Sequence, residues 1–123
     1  MPDSVKDQMK KDLSCSHVLD CIYDLKVIDK KCYKYLNSED NSVDVQELSE
    51  QFERDQSTIH RSLDRLMNCN MVNRTKQTYD SGGYQFVYES RDPEKITNDM
   101  DELVENWYEK VQGLISEFEN EFQ

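Results

Sequence analysis

At 123 residues and a formal net charge of −11, this chain has room for one hydrophobic core and not for two. With 36% hydrophobic and 33% charged residues, one Trp, seven Tyr and four Phe, it is polar for a globule yet too aromatic for a disordered chain. No apolar run approaches the roughly 20 residues needed to span a bilayer, and the N-terminus MPDSVKDQMKKDLSC lacks the apolar centre of a secretory signal, so a soluble cytoplasmic protein without membrane partners is expected.

Residues 1 to 53 read as helices separated by short polar links. Val18, Leu19, Ile22, Tyr23 and Leu25 follow helical spacing, and Val27, Ile28, Cys32, Tyr35 and Leu36 do so again. NSEDNS at 37–42 is built from turn formers and predicts a loop. In VQELSEQF, Val45, Leu48 and Phe52 recur at i, i+3 and i+7, one stripe on a short helix. Only Glu53 and Arg54 then intervene before Asp55, a suitable N-cap for a second helix whose buried stripe is Ile59, Leu63 and Leu66. Asn70 suits the left-handed position that closes this helix. The period then changes: MVNRTKQTY and YQFVYES are β-rich and flank DSGG, a hairpin turn at Asp80–Gly83. Asp92 and Pro93 open a last helix in which Ile96, Met100, Leu103, Trp107, Val111, Leu114, Phe118 and Phe122 form an 11-residue repeat. A helix of about 40 Å cannot bury that stripe on so small a domain, and its own copy is the simplest partner. Ile96 to Phe118 are therefore the expected dimerisation residues.

Two helices across a tight turn, followed by a glycine-tipped hairpin, resemble the winged helix-turn-helix of TrmB-like and MarR-like regulators of prokaryotes. The resemblance runs over roughly residues 18 to 90. It is carried by Glu47, Leu48, Ser49 and Glu50; by Ser57, Thr58, Ile59, Arg61, Leu63 and Leu66; and by Asn70, Met71, Val72 and Arg74, with DLKVIDKKCYKYL resembling the opening helix pair. Asn70 stands where the family usually has glycine, a compatible replacement. The resemblance implies a mainly α fold with a small β-hairpin, a DNA-binding domain over 1–91 and a dimerisation helix over 92–123. It further implies transcription regulation by a homodimer on double-stranded DNA, with recognition helix 56–69 in the major groove and wing 71–89 on the backbone or minor groove.

Charge is distributed unevenly. Residues 1–53 carry seven bases and twelve acids, 54–88 five bases and three acids, and 89–123 three bases and eleven acids. The only positive segment is the one expected to meet phosphate, and a basic contact surface suffices without a basic protein. Gln56, Ser57, Thr58, His60 and Arg61 are the candidates for groove contact, with Arg54 and Arg65 beside them. Arg74, Lys76, Gln77, Thr78 and Tyr79 are the wing candidates. Asp64 repels phosphate unless Arg61 or His60 pairs with it. A second reading makes the domain a protein-interaction module within a transcription or degradation assembly. A third makes it a thiol- or metal-responsive regulator through Cys15, His17, Cys21, Cys32 and Cys69, although no C-x-x-C or zinc-ribbon spacing is present. No metal, cofactor or enzymatic motif is indicated: there is no phosphate-cradling glycine loop, nucleophile elbow or metalloprotease helix.

Overall fold

The computed structural model describes residues 22–39 and 41–123. Three helices come first, α1 (Val27–Ser38), α2 (Val45–Phe52) and α3 (Gln56–Asn68), then strands β1 (Val72–Thr78) and β2 (Tyr84–Ser90), then α4 (Pro93–Glu121). The chain divides into two compact units at Ser90, with α4 the second.

The core of the first unit is where the three apolar stripes converge: Cys32 and Leu36 from α1, Leu48 from α2, and Ile59, Leu63 and Leu66 from α3. The wing closes over it with Met71, Val72 and Tyr88, all nearly inaccessible. The strands pair antiparallel, Val72 opposite Ser90 and Thr78 opposite Tyr84. Gly82 and Gly83 take φ of 96° and 84° in the connecting turn, the left-handed backbone that glycine adopts without a Cβ penalty. Asn37 and Ser38, expected in a loop at 37–42, instead end α1, and Val43 beyond carries a feature that the sequence does not announce. Val43 forms an isolated bridge with Tyr88, its amide donating to the Tyr88 carbonyl at 2.9 Å and its carbonyl accepting at 2.7 Å. One paired residue is too short to show strand alternation.

Local chemistry explains the boundaries. Asp44 and Asp55 cap α2 and α3, accepting from the amides of Glu47 at 2.8 Å and Thr58 at 3.0 Å. Asn70, at φ 58°, ends α3 in a Schellman motif: its amide reaches the Met67 carbonyl at 3.0 Å and that of Met71 the Leu66 carbonyl at 2.9 Å. The helix–helix turn places Glu53 in the left-handed region at φ 53°, without glycine. The Arg54 amide donates to the Ser49 carbonyl at 3.1 Å, and the Ser49 hydroxyl donates to the Arg54 carbonyl. Tyr35 ties α1 to α2, its hydroxyl donating to Glu47 Oε2 at 2.7 Å, and that bond pushes the phenol up to about 12.

A fully buried acid joins α1 to α3. Asp29 Oδ1 accepts from Ser62 Oγ at 2.5 Å and Arg65 Nη2 at 2.8 Å, while Oδ2 accepts from Arg65 Nε and the Lys26 amide, each at 2.8 Å. Burial alone would raise the Asp29 carboxyl. The hydrogen bonds from Arg65, Ser62 and Lys26 outweigh it and hold the group below the ordinary carboxylate value of 3.8. A depressed native pKa means stabilisation present above the unfolded value and lost as pH falls through the folded one. Replacing Asp29 by Asn should therefore cost about 2–3 kcal/mol at neutral pH, since it leaves Arg65 and Ser62 without their anion. In urea unfolding followed by circular dichroism, the gap between wild type and variant should close as pH drops below about 4. A gap that stays constant with pH would contradict the assignment of charge to this pair.

Candidate nucleic-acid interface

The first helix of the turn unit, α2, supports α3 from behind, and the outward face of α3 follows from which of its residues are buried. Ile59, Ser62, Leu63 and Leu66 face inward, leaving Gln56, Ser57, His60, Arg61, Asp64 and Asn68 exposed and Thr58 half-buried. Arg61 Nη2 donates to Thr58 Oγ1 at 3.3 Å, so the guanidinium lies back along the first turn, toward the helix N-terminus. That end carries the positive pole of the helix dipole and amides that favour an anion. Ser57 Oγ donates to Asp55 Oδ2 at 3.2 Å. The hydroxyl and amide of Thr58, with Ser57 and the Arg61 charge, hold the Asp55 carboxyl below its ordinary value. Arg54, exposed in the turn, shares a small surface groove with Val27, Ile28, Lys31 and Phe52. Lys31 thus adds a cation beside the turn that a charge count by segment assigns to the acidic N-terminal part.

On the wing, Arg74, Lys76 and Thr78 lie on one face with Tyr84, Phe86 and Tyr88, because strand side chains alternate and the register sets Arg74 opposite Tyr88. Arg74 Cζ sits 4.2 Å from the Phe86 ring centroid, and Lys76 Nζ 4.1 Å from that of Tyr84. Burial pushes the Tyr88 phenol up, with Arg74 opposing through its charge and a hydrogen bond and Asp64 adding to the rise. Asp64 forms no salt bridge among the described residues, and Arg61 is turned to Thr58 instead.

Several expected residues lie elsewhere. Arg65 is committed to the buried Asp29, both its Nε and Nη2 engaged, which withdraws it from the exposed set. Gln77 occupies the opposite wing face from Arg74 and Lys76, where its side-chain carbonyl accepts from Gln85 Nε2 at 3.3 Å. Tyr79 is exposed at the tip. Cys15, His17 and Cys21 fall outside the described residues. Cys32 is buried and Cys69 half-buried, and burial raises both thiols, the reverse of the activated thiolate that redox sensing requires. Among the described residues no three His, Cys, Asp or Glu side chains gather as a metal site. No helix of the described residues is long and apolar enough to cross a membrane.

On α4, Ile96 is buried, and Met100 and Val111 are half-buried. Leu103, Trp107, Leu114 and Phe118 remain exposed, Trp107 at 49% and Phe118 at 65%. Asp29 is the residue sequence reasoning missed. Its signal was present: positions 29, 32 and 36 share the α1 stripe, so an acid there must enter the core with a partner. Phe86 and Tyr84 were legible as strand residues, but their contact with the cations needs the register.

The family model "Sugar-specific transcriptional regulator TrmB" matches residues 19–94. An uncharacterized protein of Methanocaldococcus jannaschii, MJ1082, is 30% identical over 118 residues, 96% of each chain. A possible transcriptional regulator from Methanosarcina mazei Go1 superposes with a TM-score of 0.71 at 28% identity, over 83% of this chain and 86% of that one. The transcriptional regulator BldR from Sulfolobus solfataricus shares the fold at a TM-score of 0.50 and 17% identity, covering 94% and 86% of the two chains. A helix-turn-helix with a glycine-tipped wing, matched by that family model over most of its length, places this chain in the TrmB family of winged-helix transcriptional regulators.

Proposed function

We propose that the protein is a homodimeric, sequence-specific DNA-binding regulator that inserts α3 into the major groove and lays its wing along the backbone or minor groove. The observation that carries this reading is the division of α3. Its inward face holds Ile59, Leu63 and Leu66 and, through Asp29, draws in one of its two arginines, while Gln56, Ser57, His60 and Arg61 are exposed on the other side. Small polar groups at the N-terminal end of such a helix suit phosphates and base edges, and Arg61 can take a guanine bidentately. Arg74 and Lys76 on the wing supply phosphate contacts without sequence preference. The acidic remainder repels DNA and so favours one docking orientation and weak non-specific binding.

For α4, the reading assigns the exposed stripe from Leu103 to Phe118 to a second copy. A row of aromatic and aliphatic side chains at helical spacing, about half or more exposed, is costly in water and forms a seam when paired. Two copies then present two recognition helices to half-sites about 34 Å apart, and the operator is nearly palindromic.

Selection from random DNA with the purified protein should enrich such a site; no enrichment at all would remove the DNA reading and favour a protein-interaction role. On the selected site, Arg61→Ala should cost about 1–3 kcal/mol and relax preference at one base pair. Arg74→Ala should weaken specific and non-specific binding alike and reduce the slope of log affinity against log salt by about 0.9. Wild-type binding by both variants would show that the contact face is misassigned. In sedimentation, Trp107→Glu should convert dimer to monomer at micromolar concentration, and an unchanged dimer would move the interface away from α4.

A further inference from the structure

The wing offers its cations on an aromatic support whose geometry is more specific than a charged hairpin requires. Across the ladder Arg74 faces Tyr88, Lys76 faces Phe86 and Thr78 faces Tyr84. Each cation nevertheless rests on the ring one step nearer the tip, Arg74 on Phe86 at 4.2 Å and Lys76 on Tyr84 at 4.1 Å. Diagonal neighbours of this kind are within reach of long side chains, and strand twist brings them together. The Tyr84 and Phe86 rings brace each other edge to face, centroids 5.5 Å apart at 70°. The buried Tyr88 anchors the root of the row.

We propose that Phe86 and Tyr84 are positioning residues of the DNA interface, holding Arg74 and Lys76 in place for phosphate before DNA arrives. The proposal rests on the DNA-binding reading above. A ring under the guanidinium carbon covers one side of the group, and the N–H donors not turned to Tyr88 stay available to a phosphate. A free lysine or arginine loses side-chain entropy when it is immobilised on a ligand, and here much of that ordering is already done in the folded wing. The rings add no charge of their own, so they change affinity without changing the number of counterions released.

The test compares Phe86→Leu and Tyr84→Leu, which retain apolar bulk, with Phe86→Tyr and Tyr84→Phe, which retain a ring. Fluorescence anisotropy on the selected operator across a salt series should show the leucine variants roughly 3- to 10-fold weaker at every salt concentration, with the wild-type slope. The ring-conserving variants should bind as wild type does. In DNA-free protein, NMR should show ring-current upfield shifts of the Arg74 Hδ and Lys76 Hε protons that vanish in the corresponding leucine variants while the thermal midpoint holds. Leucine variants that bind like wild type, or that lose slope as Arg74→Ala does, overturn the positioning role. A wild-type protein whose DNA binding ignores salt overturns the DNA reading and this role with it. Absent ring-current shifts in the wild type overturn this role alone.

Discussion

One carboxylate organises the unit that carries the helix-turn-helix and the wing. Asp29 enters the core on the apolar stripe of α1 and meets four donors there, two on each oxygen, which saturates its acceptor capacity. Without them a buried carboxylate would be prohibitive; with them it fixes both the rotation and the axial position of α3 against α1. Apolar packing by Ile59, Leu63 and Leu66 tolerates small slips, whereas a side-on guanidinium–carboxylate pair has one geometry. A recognition helix must present the same few side chains in the same register each time, and a directional bond supplies that where hydrophobic contact alone does not.

The same bond redistributes charge. By segment, α1 belongs to the acidic part of the chain, but its only carboxylate is buried and neutralised by Arg65, so Lys31 and Lys34 remain on its surface. Arg65, counted by sequence with the cations of the positive segment, is engaged by Asp29. The exposed positive groups of the turn, α3 and the wing are thus Arg54, Arg61, Arg74 and Lys76, with Lys31 beside Arg54. This is a sparse set for a chain of net charge −11, and three of its members have a defined setting: Arg61 on Thr58, Arg74 on Phe86, Lys76 on Tyr84. Few contacts, well ordered, favour discrimination over bulk affinity.

Most of the architecture was legible because it depends on local rules. The caps at Asp55 and Asp92, the left-handed Asn70 and the glycine turn at Gly82 and Gly83 each follow from the conformational preferences of single residues. The bridge at Val43, the left-handed Glu53 and the Asp29 network were not legible, because each is imposed by an element distant in sequence or by the geometry of a turn without glycine. For the candidate site, exposure of Gln56, Ser57, His60 and Arg61 follows from the α3 stripe. The withdrawal of Arg65 does not, since a residue flanking a stripe turns inward only when a buried partner waits for it. Gln77 stands on the other wing face from Arg74 and Lys76 for a simpler reason: strand alternation puts odd and even positions on opposite faces.

The central claim is that Arg65 serves the scaffold and Arg61 the DNA. It is tested most directly by the double variant Asp29→Leu/Arg65→Met, because an apolar pair of similar volume can replace a buried ion pair with little loss of stability. The measurement is the salt dependence of its affinity for the selected operator, beside that of the wild type. The account predicts cooperative unfolding and an unchanged slope; a slope reduced by about 0.9 would show that Arg65 neutralises a phosphate and would contradict it.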